Sequence, residues 1–207
     1  MNKRLKQSIF YFTGFHTNVG PRLFKILSHV IFYGYCNMET TKHPMPENAK
    51  RFFNNLSDYL EIKLLYFGSI QRHDYFPGRS DIDVDVFTSN IESTIVKMQQ
   101  YMNAPKDKFK KIVWKLAYND RIVYGYKMAY KTEEFMAEFS IYDEKYKEDV
   151  IIEHMNKSVL PFYITWMLLF LKVLHYNFEI VDREWFAYFK QKILNVCLGT
   201  KEVFIIL

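Results

Sequence analysis

Two carboxylates two positions apart, Asp81 and Asp83, open a stretch in which acidic and apolar residues alternate strictly: Asp81, Asp83 and Asp85 against Ile82, Val84 and Val86. A strand has a side-chain period of two, so the three acids share one face, a few ångströms apart. Anions that close repel unless a cation lies between them. Hard carboxylate oxygens, with no His or Cys at ligand spacing, favour Mg2+ or Mn2+ over zinc.

Upstream, the apolar run Ile62 to Phe67 reads as a buried strand that ends at Gly68-Ser69. Gly68 lets a bound group approach the backbone, and Ser69 offers a hydroxyl and an N–H to a phosphate. Arg72, in the connecting loop, has a planar fork suited to a triphosphate, and Arg79 has the same chemistry but reads more readily as a surface residue. The bland account is a hairpin-like turn before a solvent-facing acidic strand. The strand, Gly-Ser, loop, Asp-x-Asp strand order favours a metal-bound nucleoside triphosphate instead. For Asp85 two roles stay open, contact with metal or substrate and a salt bridge to a neighbouring Lys or Arg.

This order resembles the signature of the polymerase-beta-type nucleotidyltransferase superfamily, which includes antibiotic adenylyltransferases, CCA-adding enzymes and poly(A) polymerases. The GSIQR stretch at Gly68 to Arg72 is especially similar to the start of that motif in the small bacterial and antibiotic-modifying branch. The resemblance covers Leu64 to Val86 and extends, through the order of strands, to about Tyr142. It implies an α+β nucleotidyltransferase fold, a central mixed sheet flanked by helices with further helices at the C-terminal side. It also implies a third carboxylate on a strand adjacent to the Asp-x-Asp strand, and Glu138 is the candidate, where most relatives carry Asp. The implied activity is transfer of an NMP from an NTP to a hydroxyl acceptor with release of pyrophosphate. Asp81, Asp83 and Glu138 would be catalytic and metal-binding, with Mg2+ (or Mn2+) as cofactor. Gly68, Ser69 and Arg72 would bind the nucleotide, ATP in the adenylyltransferases. The acceptor is left open among a small molecule, a protein and RNA. The alternative is an inactive copy of the fold that serves as a nucleotide-binding or interaction subunit; retention of all three carboxylates argues against it.

The elements that must position these residues follow from periodicity. Pro46 precedes Glu47 to Leu60, where Phe52, Phe53, Leu56, Tyr59 and Leu60 recur at helical spacing. Ile91 to Tyr101 predicts a second helix. Lys111 to Tyr118, Arg121 to Tyr130 and Phe135 to Tyr142 predict an antiparallel meander. Lys145 to Asn156, Pro161 to Tyr176 and Arg183 to Leu198 predict helices. The expected division is an N-terminal helical or irregular extension over 1–46, a catalytic core over 47–144 and a helical region over 145–207. Tyr163, Trp166 and Phe170 are expected in the core. The basic residues Lys106, Lys108, Lys110, Lys111 and Lys115 are expected to protect a sheet edge rather than to track nucleic acid.

Composition sets the frame. The chain has 207 residues, 49% hydrophobic, 18% aromatic and 25% charged, which excludes disorder, collagen and a disulfide scaffold. A net charge of +5 permits a polyanionic partner without requiring one. Cys36 and Cys197 are far apart and form no metal-ligand spacing, which fits reduced thiols and a cytoplasmic location. The basic start before an aromatic stretch lacks a small-residue cleavage site, and the apolar run Val159 to Leu171 is short of a bilayer span, so stable membrane insertion is not expected.

Overall fold

The computed structural model describes residues 38–158, 160–198 and 203–207; of the N-terminal extension expected over 1–46, residues 1–37 fall outside them. The first described helix, α1 (Glu47–Leu60), has Pro46 at its N-cap and ends at Glu61, whose φ of 58° is left-handed. Ala49, Phe53, Leu56 and Leu60 form its buried stripe. β1 (Leu65–Phe67) runs into a 3-10 turn at Gly68–Gln71, and β2 (Ile82–Thr88) follows the loop. Asn90 caps α2 (Ile91–Met102), its side chain accepting from the Ser93 N–H at 3.0 Å. The meander is β3 (Lys110–Lys115), β4 (Ile122–Lys131) and β5 (Met136–Asp143). Then come α3 (Lys147–Ser158), α4 (Phe162–Tyr176), α5 (Arg183–Leu198) and β6 (Val203–Ile206).

The fold is α+β, with a mixed six-stranded sheet in the order β1-β2-β5-β4-β3-β6 among the described residues. Only β2 and β5 pair in parallel, and their register sets Asp83 beside Glu138 and Asp85 beside Ser140. One sheet face carries Ile82, Val84, Val86, Ala137, Phe139 and Ile141, which pack with Phe53 and Leu56 of α1 and Ile95 and Met98 of α2. Each large side chain buried there contributes about 1.5–3 kcal/mol. Against the opposite face α3 brings Val150 and Met155 onto Leu65, Trp114 and Tyr142. The acids of β2 point to this second face, which α3 covers only in part.

Two expectations are corrected. β3 is not an edge, because β6 pairs antiparallel along its outer side, with Trp114 opposite Phe204. The lysines of 106–115 are exposed all the same, so they are solvated without guarding an edge. Tyr163, Trp166 and Phe170 stand 49%, 68% and 65% exposed rather than in the core. α4 buries Ile164, Leu168, Leu171 and Lys172 instead. Its sequence is apolar almost all round, so spacing could not say which side faces the sheet. Among the described residues no single helix is long and apolar enough to cross a membrane.

Candidate active site

β1 and β2 pair antiparallel with Phe67 opposite Asp83, so the chain turns at Gly68 directly over that carboxylate. Gly68 has a φ of +70°, and a Cβ there would overlap the Asp83 carboxyl group. Glycine is required twice over, by backbone conformation and by contact. The turn is then fixed from inside. The Gln71 amide donates to the Tyr66 carbonyl at 3.1 Å and to the Thr40 carbonyl at 2.6 Å, and the Arg72 N–H donates to the Ser69 carbonyl at 2.9 Å. Ser69 is buried at the base of the turn.

The loop between turn and strand is tied down by a buried ionic cluster. Arg72 places its fork on Asp74, Nε at 2.8 Å and Nη2 at 3.2 Å. Lys172 of α4 donates to the Asp74 carbonyl at 2.6 Å and to Ser80 Oγ at 3.1 Å, and lies 3.2 Å from the Asp74 carboxylate. Burial alone would raise the Asp74 carboxyl, but Arg72 and Lys172 overrule it and hold it below the usual range. Burial pushes Lys172 down to about 8, against the pull of Asp74. Ser80 immediately precedes Asp81, so this cluster sets where the acidic strand begins.

Asp81, Asp83 and Glu138 line one cavity of about 430 Å3, together with Gly68, Ser69 and Arg72. That volume lies within the range of small-molecule sites. All six residues singled out from the sequence thus meet at one place, with Arg72 already engaged by Asp74. Burial first, and the Glu138 charge second, raise both Asp81 and Asp83, Asp83 to about 6, while Lys190 of α5 opposes both shifts. Glu138 Oε1 lies 2.6 Å from Lys127 Nζ on β4. Asp85 falls outside the cavity: its partner is a histidine rather than a Lys or Arg, with Oδ2 2.9 Å from His154 Nε2, and the Phe67 ring is stacked over that imidazole at 3.9 Å.

Asp81 and Asp83 suit a divalent cation by donor chemistry, two hard oxygen groups whose pKa values are raised first by burial and then by the Glu138 charge, so that an added cation would stabilise their ionised forms. Among the described residues, however, no three His, Cys, Asp or Glu side chains are gathered as a metal-binding set.

Sequence reasoning missed Lys127, Lys172 and Lys190. A signal for Lys172 was present, since Ile164, Leu168 and Lys172 recur every four residues on the buried side of α4. Lys127 reaches Glu138 through the pairing of β4 with β5, and its own sequence neighbourhood carries no mark of that.

No family model matches the chain, and no curated protein matches it. Among solved structures it is similar to the Cid1 poly(U) polymerase with MgGTP bound, at 12% identity and a TM-score of 0.39, over 75% of this chain and 49% of that one. It is also similar to the conserved protein GrpB from Enterococcus faecalis, at 14% identity and a TM-score of 0.45, over 77% of this chain and 98% of that one. A third likeness is to the STING-associated CdnE c-di-GMP synthase from Capnocytophaga granulosa, at 13% identity and a TM-score of 0.39, over 97% and 71%. The chain spans about half the length of the Cid1 structure.

Proposed function

We propose that this chain is a divalent-cation-dependent nucleotidyltransferase that moves a nucleoside monophosphate from an NTP to a hydroxyl acceptor and releases pyrophosphate. One observation carries the reading: Asp81, Asp83 and Glu138 converge on a single cavity roofed by the Gly68–Ser69 turn. In it, Asp81 and Asp83 would hold Mg2+ or Mn2+, which when bound supplies positive charge to the triphosphate. Ser69 presents its N–H and hydroxyl to the terminal phosphates, and Gly68 keeps the backbone low enough for them to approach. Lys190, on the cavity wall formed by α5, adds a charge on the triphosphate side. Glu138 takes the proton of the attacking hydroxyl as the bond to the α-phosphorus forms and the bond to the leaving pyrophosphate breaks.

The test is incubation with each α-labelled NTP, Mg2+ and a mixture of RNAs, proteins and small alcohols. Label transfer by the native chain, lost in Asp81→Ala and Asp83→Ala, is the expected result. NTP binding with no transfer to any acceptor would move the assignment to a nucleotide-binding subunit. Full activity in either variant would overturn the site.

A further inference from the structure

Three acidic side chains line the cavity, and their positive partners are unevenly distributed. Glu138 has Lys127 at 2.6 Å, at the short end for an ammonium–carboxylate contact. Of the ion pairs among the described residues, none includes Asp81 or Asp83. The position of Lys127 is built into the sheet. It lies opposite Ser140 in the β4–β5 register, on the same face as Glu138 and diagonal to it, and both strands are interior to the sheet. A second anchor comes from β6, where the Phe204 ring centroid lies 4.7 Å from the Lys127 ammonium. With its side chain 24% exposed, Lys127 is held in place and partly desolvated before any ligand arrives.

From this arrangement we infer that Lys127 is a resident counter-charge for Glu138, so that the site takes up one divalent cation, on Asp81 and Asp83, rather than two. The inference rests on the nucleotidyltransferase reading of the same cavity. The charge distribution supports it: with Glu138 answered by Lys127, the carboxylates left to ligate are Asp81 and Asp83, enough to hold one divalent cation, and Lys190 on the cavity wall adds positive charge that disfavours a second. A second cation would have to displace an ammonium already fixed by a carboxylate and a ring, leaving that ammonium uncompensated in a partly buried place. Lys127 is in this sense a positioning residue, whose ion pair fixes where the Glu138 carboxylate lies at the cavity.

Counting bound Mn2+ by the loss of the free-ion electron paramagnetic resonance signal tests it on the whole chain with Mn2+ alone. One equivalent is expected for the native protein and for Lys127→Arg, none for Asp83→Ala, and a second, weaker equivalent for Lys127→Met. Two equivalents in the native protein would overturn the inference and leave the nucleotidyltransferase reading standing. One equivalent in a folded Lys127→Met chain would remove Lys127 from the role. No binding by the native protein, or an equivalent that survives Asp83→Ala, would instead sink the carboxylate reading on which the inference depends.

Discussion

Asp83 and Glu138 are lateral neighbours on the parallel strands β2 and β5, and Glu138 is held in a close ion pair by Lys127, whereas Lys190 and Lys127 act on Asp83 without pairing with it. Burial and the Glu138 charge leave the Asp83 carboxyl at about 6. An aspartate in the unfolded chain titrates near 4. Between those values the folded state binds more protons than the unfolded, so this group's contribution to stability falls as pH rises from about 4 to about 6 and stays reduced above.

Asp83→Asn abolishes that titration. In the absence of divalent cations the Asn variant should melt higher than the native chain at pH 7.5, and the two should converge at pH 4. The residue is only half-buried, so the gain is on the order of 1 kcal/mol, or roughly 2–4 °C. Calorimetric melts at the two pH values check it; a gain that is the same at pH 4 would exclude Asp83 titration as its source.

Gly68 and Gly78 form a matched pair for substitution, with φ of +70° and +73° and different surroundings. A Cβ at Gly78 meets nothing within 4 Å, whereas one at Gly68 overlaps the Asp83 carboxyl. Gly78→Ala should therefore cost only the backbone term, about 1–2 kcal/mol. Gly68→Ala should cost about 1–3 kcal/mol more, as expected for forced overlap, and should weaken Mn2+ binding at least tenfold. Urea melts and Mn2+ titrations of both variants separate the effects.

Lys172 and Asp74 are both buried, so removing the ammonium strips Asp74 of one of its two cationic partners and leaves the Asp74 carbonyl and Ser80 Oγ without their donor. Lys172→Met should destabilise the chain by about 3 kcal/mol, even with Arg72 still on Asp74. In a double-mutant cycle with Asp74→Asn, a coupling of about 1–3 kcal/mol is expected. Additive losses would show that the two act independently.

Phe204 touches both Trp114, with ring centroids 6.3 Å apart, and the Lys127 ammonium. Phe204→Ala should cost about 1–2 kcal/mol from these ring contacts. Ile205, on the same strand and 47% exposed, should cost less than about 0.5 kcal/mol when changed to Ala. Equal losses would mean that β6 matters only as backbone.

Much of this architecture is legible in the chain because local patterns and long-range pairing agree. α1 spans the residues that Pro46 and the apolar spacing select, and the meander follows from three apolar runs joined by short polar turns. The acidic face of β2 follows from strict alternation alone. The resemblance supplied the neighbourhood of Glu138, and the β2–β5 register agrees with it. What stayed hidden depends on distant partners. Val203–Ile206 is a short apolar run with no alternation and no turn linking it to β3, so its strand character exists only through that pairing. The outward side of α4 is hidden because apolar residues cover nearly the whole helix, and only its packing decides which of them meet water.

The pairing of β6 with β3 also ties the site to contacts of very different sequence separation. β3, β4 and β5 are consecutive and antiparallel, so they can zip together through short loop closures, whereas β6 must return across three helices to reach β3. Contacts of such long sequence separation carry a larger closure entropy and form late. Lys127 and Glu138 lie on that local meander, whereas Asp83 reaches it through the long-range β2–β5 pairing and Phe204 through the still longer-range β3–β6 pairing. The ion pair of Lys127 and Glu138 thus rests on contacts local in sequence, and the final strand is a latch laid over it from a distant part of the chain.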